Sequence, residues 1–227
     1  MGRGLSLRWA LKHNVLLGSR SLDKACGVAR EQESLARGFY QDDMRGSING
    51  ALNCAAAKES DVIVVTLPPS GLVQTVTEAA KYLRRGQIVV STVVSMNKNK
   101  GLFSYVPLPT RQMKKYLGKS AAEIIQNLVK PIPVVSAFQT VPAAYLENVD
   151  SVMNIDVLVA GDDEKAITCV SNLICDIANL RPLRVGALAN STFIESLTPL
   201  LLNVAVLNKL QDPSIRIVPW MPKCFAQ

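Results

Sequence analysis

The residues best suited to chemistry are Ser19, Arg20 and Lys24, which follow the apolar run Asn14-Val15-Leu16-Leu17 and the turn residue Gly18. An apolar run closed by glycine and followed by an amphipathic stretch reads as one strand–helix step of a parallel sheet. Where such a step meets the adenosine ribose of a dinucleotide, an acid takes the 2′-hydroxyl, whereas an arginine accommodates a 2′-phosphate. Here the position offers a hydroxyl and a guanidinium and no carboxylate. Lys24 lies four residues after Arg20, so on a helix both point the same way. Two cations in a first turn oppose the helix dipole, and a bound phosphate resolves that conflict. The pattern favours NADP over NAD; the competing reading is a solvated helix start with Asp23 offsetting part of the charge.

The remaining inventory limits the reaction. The only histidine is His13, in a loop, which argues against a histidine-based triad. No Gly-Lys-Ser/Thr phosphate loop is present. The acids Asp162, Asp163 and Glu164 read as caps and dipole partners of a helix start rather than as metal ligands. Five cysteines without a Cys-x-x-Cys pair argue against a disulfide framework and point to a reducing compartment. Cys26, Cys54, Cys169 and Cys175 read as buried thiols. Hydride transfer between two bound cofactors fits this list, because the cofactors carry the reactive atoms and the protein has only to hold them and exclude water.

The elements that must position these residues alternate between helix and strand. Residues 1–13 read as an uncapped amphipathic helix, residues 22–37 as a charged helix, and Asp61–Val65 and Gln87–Ser91 as strands buried on both faces. Ser70 is expected to cap the helix after Pro69. Pro133–Phe138 is a further strand, followed by Gln139-Thr140-Val141-Pro142-Ala143 at its carboxyl end, where open α/β sheets place ligands. A smaller unit follows, with a strand at Asp156–Ala160, a helix after Gly161-Asp162-Asp163, and a strand ending at Arg184–Gly186. Thr192 and Glu195 read as a capping box for the last helix, which Pro199 should kink. Its apolar face serves as core or as a dimer surface. The fold class is therefore α/β, a Rossmann-like doubly wound parallel sheet with a smaller C-terminal α/β unit, divided as 1–138 and 139–227.

The 227 residues carry a net charge of +7, which suggests an anionic partner, and no apolar run reaches membrane-spanning length. The stretch from Lys81 to Lys119 holds nine Lys or Arg residues and no acid. It contains no nucleic-acid recognition motif, so a solvated face or a wall facing a polyanionic ligand is expected in place of a nucleic-acid surface. The opening residues lack the apolar core of a signal peptide, and the cytoplasm is the expected compartment.

The chain resembles the NADPH-dependent reductases of the deazaflavin coenzyme F420 over close to its full length. The likeness runs through Gly4–Arg8, Gly18–Arg20, Ser120–Ile124, Val135–Ala137, Thr140–Ala143, Gly161–Asp163, Leu180–Leu183 and Asn190–Ser191 to the Glu195-Ser196-Leu197-Thr198-Pro199-Leu200 string. The resemblance implies a cytoplasmic homodimer or higher homo-oligomer that moves a hydride between NADP(H) and coenzyme F420. It places Ser19, Arg20 and Lys24 at the 2′-phosphate, Pro69, Val73 and Ala143 along the nicotinamide cofactor, and the deazaflavin near Pro142 and Pro213. Family members usually begin with a strand and a Gly-x-Gly-x-x-Gly turn. Here Met1-Gly2-Arg3-Gly4 stands in that place, with Gly2 on the third glycine, so the resemblance implies that about ten residues, one strand plus its turn, belong upstream. Phe138-Gln139 stands where relatives often carry Leu-His. Two alternatives remain open: an NADPH-dependent flavin reductase-like domain, and a non-catalytic dinucleotide-binding module.

Overall fold

A computed structural model of the chain describes residues 1–108 and 118–219. The alternation expected from sequence is present. The helix α1 (Gly2–Trp9) leads into β1 (Asn14–Ser19), which pairs in parallel with β2 (Ser47–Leu52) over six residues on each strand. Between them runs α2 (Leu22–Tyr40), whose buried Ala25, Ala29, Gln32 and Ala36 recur at helical spacing. Small alanines let this helix approach the ribbon closely, and Gly50 of β2 is required there: a Cβ would lie 2.4 Å from the Cys26 nitrogen.

Helix α3 (Asn53–Glu59) connects β2 to β3 (Val62–Val65), and α4 (Leu72–Ala80) connects β3 to β4 (Ile88–Ser91). A second sheet has the order β3, β4, β7 (Val134–Ser136), β8 (Ile155–Gly161), β9 (Leu180–Arg184). Its pairings are parallel except for β7 with β8. Helices α5 (Ala121–Val129), α6 (Ala143–Glu147) and α7 (Glu164–Cys175) pack on it. Its central strands are apolar on both faces, as β4, β7 and β8 show by being almost wholly buried. The strands at 155–161 and 180–184 thus extend the sheet of the preceding residues.

A two-stranded hairpin, β5 (Met96–Asn99) and β6 (Leu102–Tyr105), stands apart and is clamped to the last helix, α8 (Ser191–Asn208). The clamp is the Asn203 side-chain amide, which accepts from the Phe103 nitrogen at 2.7 Å and donates to the Phe103 oxygen at 2.8 Å. No helix among the described residues is long and apolar enough to cross a membrane.

Several expectations are corrected. β3, expected to be buried on both faces, is half-buried over Val62–Val64, because it lies at an edge of its sheet. The helix after Pro69 is α4, capped by Gly71 after one 3-10 turn (Pro69–Gly71), and Ser70 makes no cap. Helix α8 runs unbroken through Pro199 and has no side-chain cap. Cys26, Cys54 and Cys169 are only half-buried, and Cys175 is disulfide-bonded rather than a free thiol. The hairpin was hidden inside the basic stretch 81–119, whose Arg111, Lys114 and Lys115 lie outside the described residues, as do Trp220 and Pro222 of the tail.

Candidate functional site

At the carboxyl end of β1 the chain turns once and enters α2. Ser21 is the cap: its hydroxyl accepts from the Lys24 nitrogen at 3.4 Å, and its own nitrogen donates to Ser19 Oγ at 3.3 Å. Arg20 lies between strand and helix, outside α2, while Lys24 occupies the first turn of α2. Both side chains are exposed, and neither makes an ion pair among the described residues. Two unpaired cations beside a hydroxyl in one turn fit an oxyanion, because a phosphate there gains charge-assisted hydrogen bonds. Gly18 holds α3 close to this turn, since a Cβ would lie 2.8 Å from Asn53 Oδ1.

A second group surrounds the start of α1. A Cβ on Gly2 would meet Thr66 Oγ1, just beyond β3, at 3.0 Å. The Met1 amino group lies 3.7 Å from Glu147 Oε1. Met1 and Gly2 are therefore wedged between the carboxyl end of β3 and α6. The wedge is fixed by Arg8, a buried guanidinium that donates to the carbonyls of Tyr145 (2.7 Å), Leu146 (3.1 Å), Asn148 (2.6 Å) and Val149 (3.1 Å). These are the orphan acceptors at the end of α6, satisfied by a charge from another helix. Pro69 and Val73 follow β3 on the same rim, Pro69 opening the 3-10 turn and Val73 half-buried in the first turn of α4.

The third group follows β7. Phe138 takes a left-handed conformation, with φ of 72°, and turns the chain so that the Gln139 side chain points back under the sheet. Its Nε2 donates to the Ser91 oxygen and to Ser136 Oγ, both at 2.8 Å. Gln139 is 5% exposed, yet among the described residues its Oε1 has no hydrogen-bond partner, and neither does Ser91 Oγ nearby. An unsatisfied buried oxygen costs about 1–3 kcal/mol, so this pair is suited to a polar ligand edge or a bound water. Pro142 caps α6 and Ala143 opens it. Thr198 of α8 donates to the Gln139 oxygen at 2.8 Å, and Ser214 to the Thr140 oxygen at 2.7 Å. The second contact brings Pro213 against this segment, in a recess of about 360 Å³ with Tyr145 and Met153.

The structure thus gathers Met1, Gly2, Pro69 and Val73 around the end of β3 and Gln139, Pro142, Ala143 and Pro213 beyond β7. Ser19, Arg20 and Lys24 form their own cluster at the end of β1. Sequence reading missed Arg8 and Ser91 and misassigned Glu195. Glu195 caps a different helix from the expected one: its carboxylate accepts from the Ala121 nitrogen at 3.1 Å and the Ala122 nitrogen at 3.2 Å, at the start of α5. The Tyr105 hydroxyl donates to it at 3.3 Å. Burial pushes the Glu195 carboxyl up to about 7; the two backbone donors and Tyr105 oppose this, and Glu123 adds to it. Burial and the adjacent Glu195 also push the Tyr105 hydroxyl up. Near the start of β1, burial alone would raise Asp176, but Lys12 at 2.7 Å and His13 at 2.8 Å hold it below its usual range.

Comparison with known proteins gives a consistent result. The family model described as "NADP oxidoreductase coenzyme F420-dependent" matches residues 1–95. The F420-dependent NADP reductase of Methanocaldococcus jannaschii is 36% identical over 216 residues, covering 95% of this chain and 92% of that one. The reductase of the same name from Methanothermobacter marburgensis is 28% identical over 219 residues, covering 95% and 92%. Among solved structures, a protein from Arthrobacter sp. FB24 described as a candidate F420-dependent NADP reductase superposes with a TM-score of 0.73 at 17% identity, covering 95% of each chain.

Proposed function

This chain belongs to the F420-dependent NADP reductase family, and on that premise we propose how its residues divide the work of moving a hydride between NADP(H) and coenzyme F420. The reaction itself follows from the family: an oxidoreductase whose two cofactors are NADP(H) and the deazaflavin. When bound, the nicotinamide and the deazaflavin supply the hydride donor and acceptor. The chain supplies position and a dry surface.

Arg20 and Lys24 grip the 2′-phosphate, with Ser19 as a neutral hydrogen-bonding partner. Met1 and Gly2 at the start of α1 approach the dinucleotide backbone, and Pro69, Val73 and Ala143 line its nicotinamide half. Gln139, Pro142 and Pro213 border the deazaflavin. The division into a dinucleotide-binding unit, 1–138, and a unit that completes the deazaflavin site, 139–227, matches this split of roles. The observation that carries the assignment is the pair of cations at the β1–α2 turn, without ion-pair partners among the described residues, where an NAD-selective site would carry an acid.

The chain acts in the cytoplasm as a homo-oligomer. The support for the oligomer is an exposed apolar stripe on α8: Phe193, Leu200 and Leu207 recur at seven-residue spacing with exposures of 70%, 56% and 68%. The test of the cofactor assignment is steady-state kinetics with NADPH and NADH as alternative donors. Arg20→Ala should erase most of the preference for NADPH by raising its KM while leaving NADH turnover unchanged. An equal loss with both donors would contradict it.

A further inference from the structure

Beyond α8 the chain returns to the sheet. Lys209, a left-handed cap with φ of 56°, and Asp212, with φ of 45°, turn it back, and residues 213–217 run as a strap beside β8. On the flank of β8 opposite β9, β7 pairs with Ala160 and Gly161. The strap takes the other end of that flank, where the Asp156 nitrogen donates to the Ile215 oxygen at 2.9 Å. The wholly buried Asp156 carboxylate fixes the strap further. It accepts from the Ile217 nitrogen at 2.6 Å and from Arg181 Nε and Nη2 at 2.7 Å each. Arg181 Nη2 also donates to the Ile217 oxygen at 2.8 Å, and Ile215 packs with Leu158, Ala160 and Ile194. A buried charge-assisted network of this kind holds its members in one arrangement.

One residue before this anchor, Ser214 Oγ donates to the Thr140 oxygen at 2.7 Å, in the turn after β7. That turn needs to be held from outside. Phe138 sits at φ of 72°, a conformation that a bulky residue keeps only where its surroundings impose it. Within the turn the Val141 nitrogen donates to the Phe138 oxygen at 3.1 Å, and Thr198 holds the Gln139 oxygen from α8. Thr140 is buried, so its oxygen depends on a protein donor. Resting on the assignment of Gln139 and Pro142 to the deazaflavin border, we propose that Ser214 is a positioning residue for that cofactor. Through the Thr140 oxygen it registers residues 139–142 on the Asp156–Arg181 anchor of the sheet. Two cofactors that exchange a hydride must hold their reacting atoms about 3–3.5 Å apart, and a loosened border weakens the hold on the cofactor beside it. Ala143 already belongs to α6, whose end Arg8 fixes independently, so the nicotinamide side keeps its own support.

The test is Ser214→Ala in the full chain, which deletes the hydroxyl and leaves the Asp156–Arg181 anchor in place. In the protein without cofactors, hydrogen exchange at the Val141 amide should quicken about twofold to tenfold, the worth of one neutral hydrogen bond. The amides of β8 should keep their wild-type rates. Equilibrium titration should show the Kd for oxidised coenzyme F420 raised by about the same factor and the Kd for NADPH unchanged. Exchange that quickens equally at Val141 and in β8, or equal losses of both affinities, would show a merely structural role and overturn the proposal. Unchanged exchange at Val141 would overturn it while leaving the assignment of Gln139 and Pro142 intact. Faster exchange at Val141 with an unchanged Kd for coenzyme F420 would show that the turn does not border the deazaflavin; that assignment then fails, and the proposal with it.

Discussion

Replacing Glu195 by glutamine should change how stability depends on pH. The wild-type carboxyl is fully buried and its folded-state value is raised from 4.5 to about 7. At a helix N-terminus a carboxylate is usually favoured by the dipole and the free N–H groups; here loss of solvent outweighs both backbone donors. A raised folded value means that the native state holds the proton more tightly than the unfolded chain does. This contribution to stability is complete below pH 4.5 and is lost as pH rises through about 7. The rise corresponds to about 3 kcal/mol. For a chain of this size that is a shift of about 10 °C in Tm. Glutamine resembles the protonated acid in being neutral, with a carbonyl acceptor and an NH2 donor group, and does not titrate. Thermal unfolding of both proteins between pH 4.5 and 8 is the assay. The wild type should lose about 10 °C relative to Glu195→Gln across that range. Curves that stay parallel, or a wild type that gains on the variant as pH rises, would refute the reasoning, since either means that the backbone donors win.

Other perturbations separate packing from binding. Lys24→Ala should weaken NADPH binding by roughly tenfold, the loss of one charge-assisted contact discounted for exposure, and less at high salt; titration at two ionic strengths measures it. Asp156→Asn should destabilise the fold by about 3–5 kcal/mol, because it leaves the Arg181 guanidinium without the carboxylate that it meets at 2.7 Å on both oxygens, and denaturant unfolding reads the loss. Gly4→Val should cost about 1–3 kcal/mol or more from overpacking, since a Cβ there would lie 2.5 Å from Leu146 Cβ; a lowered Tm is the expected outcome. Leu200→Glu with Leu207→Glu should shift the sedimentation coefficient to that of a monomer without lowering the Tm of the monomeric unit.

What the sequence made legible was what local chemistry decides. Asn14–Lys24 announced a strand, a turn and a helix start because each signal lies within a few residues of its partner. The capping box at Ser120 and Glu123 is another pattern decided within a few residues. Glu195 shows the limit. Thr192 and Glu195 carry the spacing of a capping box, yet the carboxylate serves the nitrogen of Ala121, 74 residues earlier. Local spacing cannot reveal a partner supplied by tertiary packing. The same holds for Arg8, whose acceptors lie on α6, and for Gln139, whose unpartnered oxygen is visible only once its amide is seen to be held by Ser91 and Ser136. The apolar run of β3 suggested burial on both faces, but burial depends on what lies beside a strand, and β3 lies at an edge of its sheet.

The central claim is tested most directly by mixing the chain with NADPH and oxidised coenzyme F420 and following the deazaflavin's visible absorbance. The account predicts a loss of that absorbance that scales with enzyme concentration, is slower with NADH, and loses its NADPH preference in Arg20→Ala. No loss above the enzyme-free control, from a preparation shown to be folded by its cooperative unfolding, would contradict it.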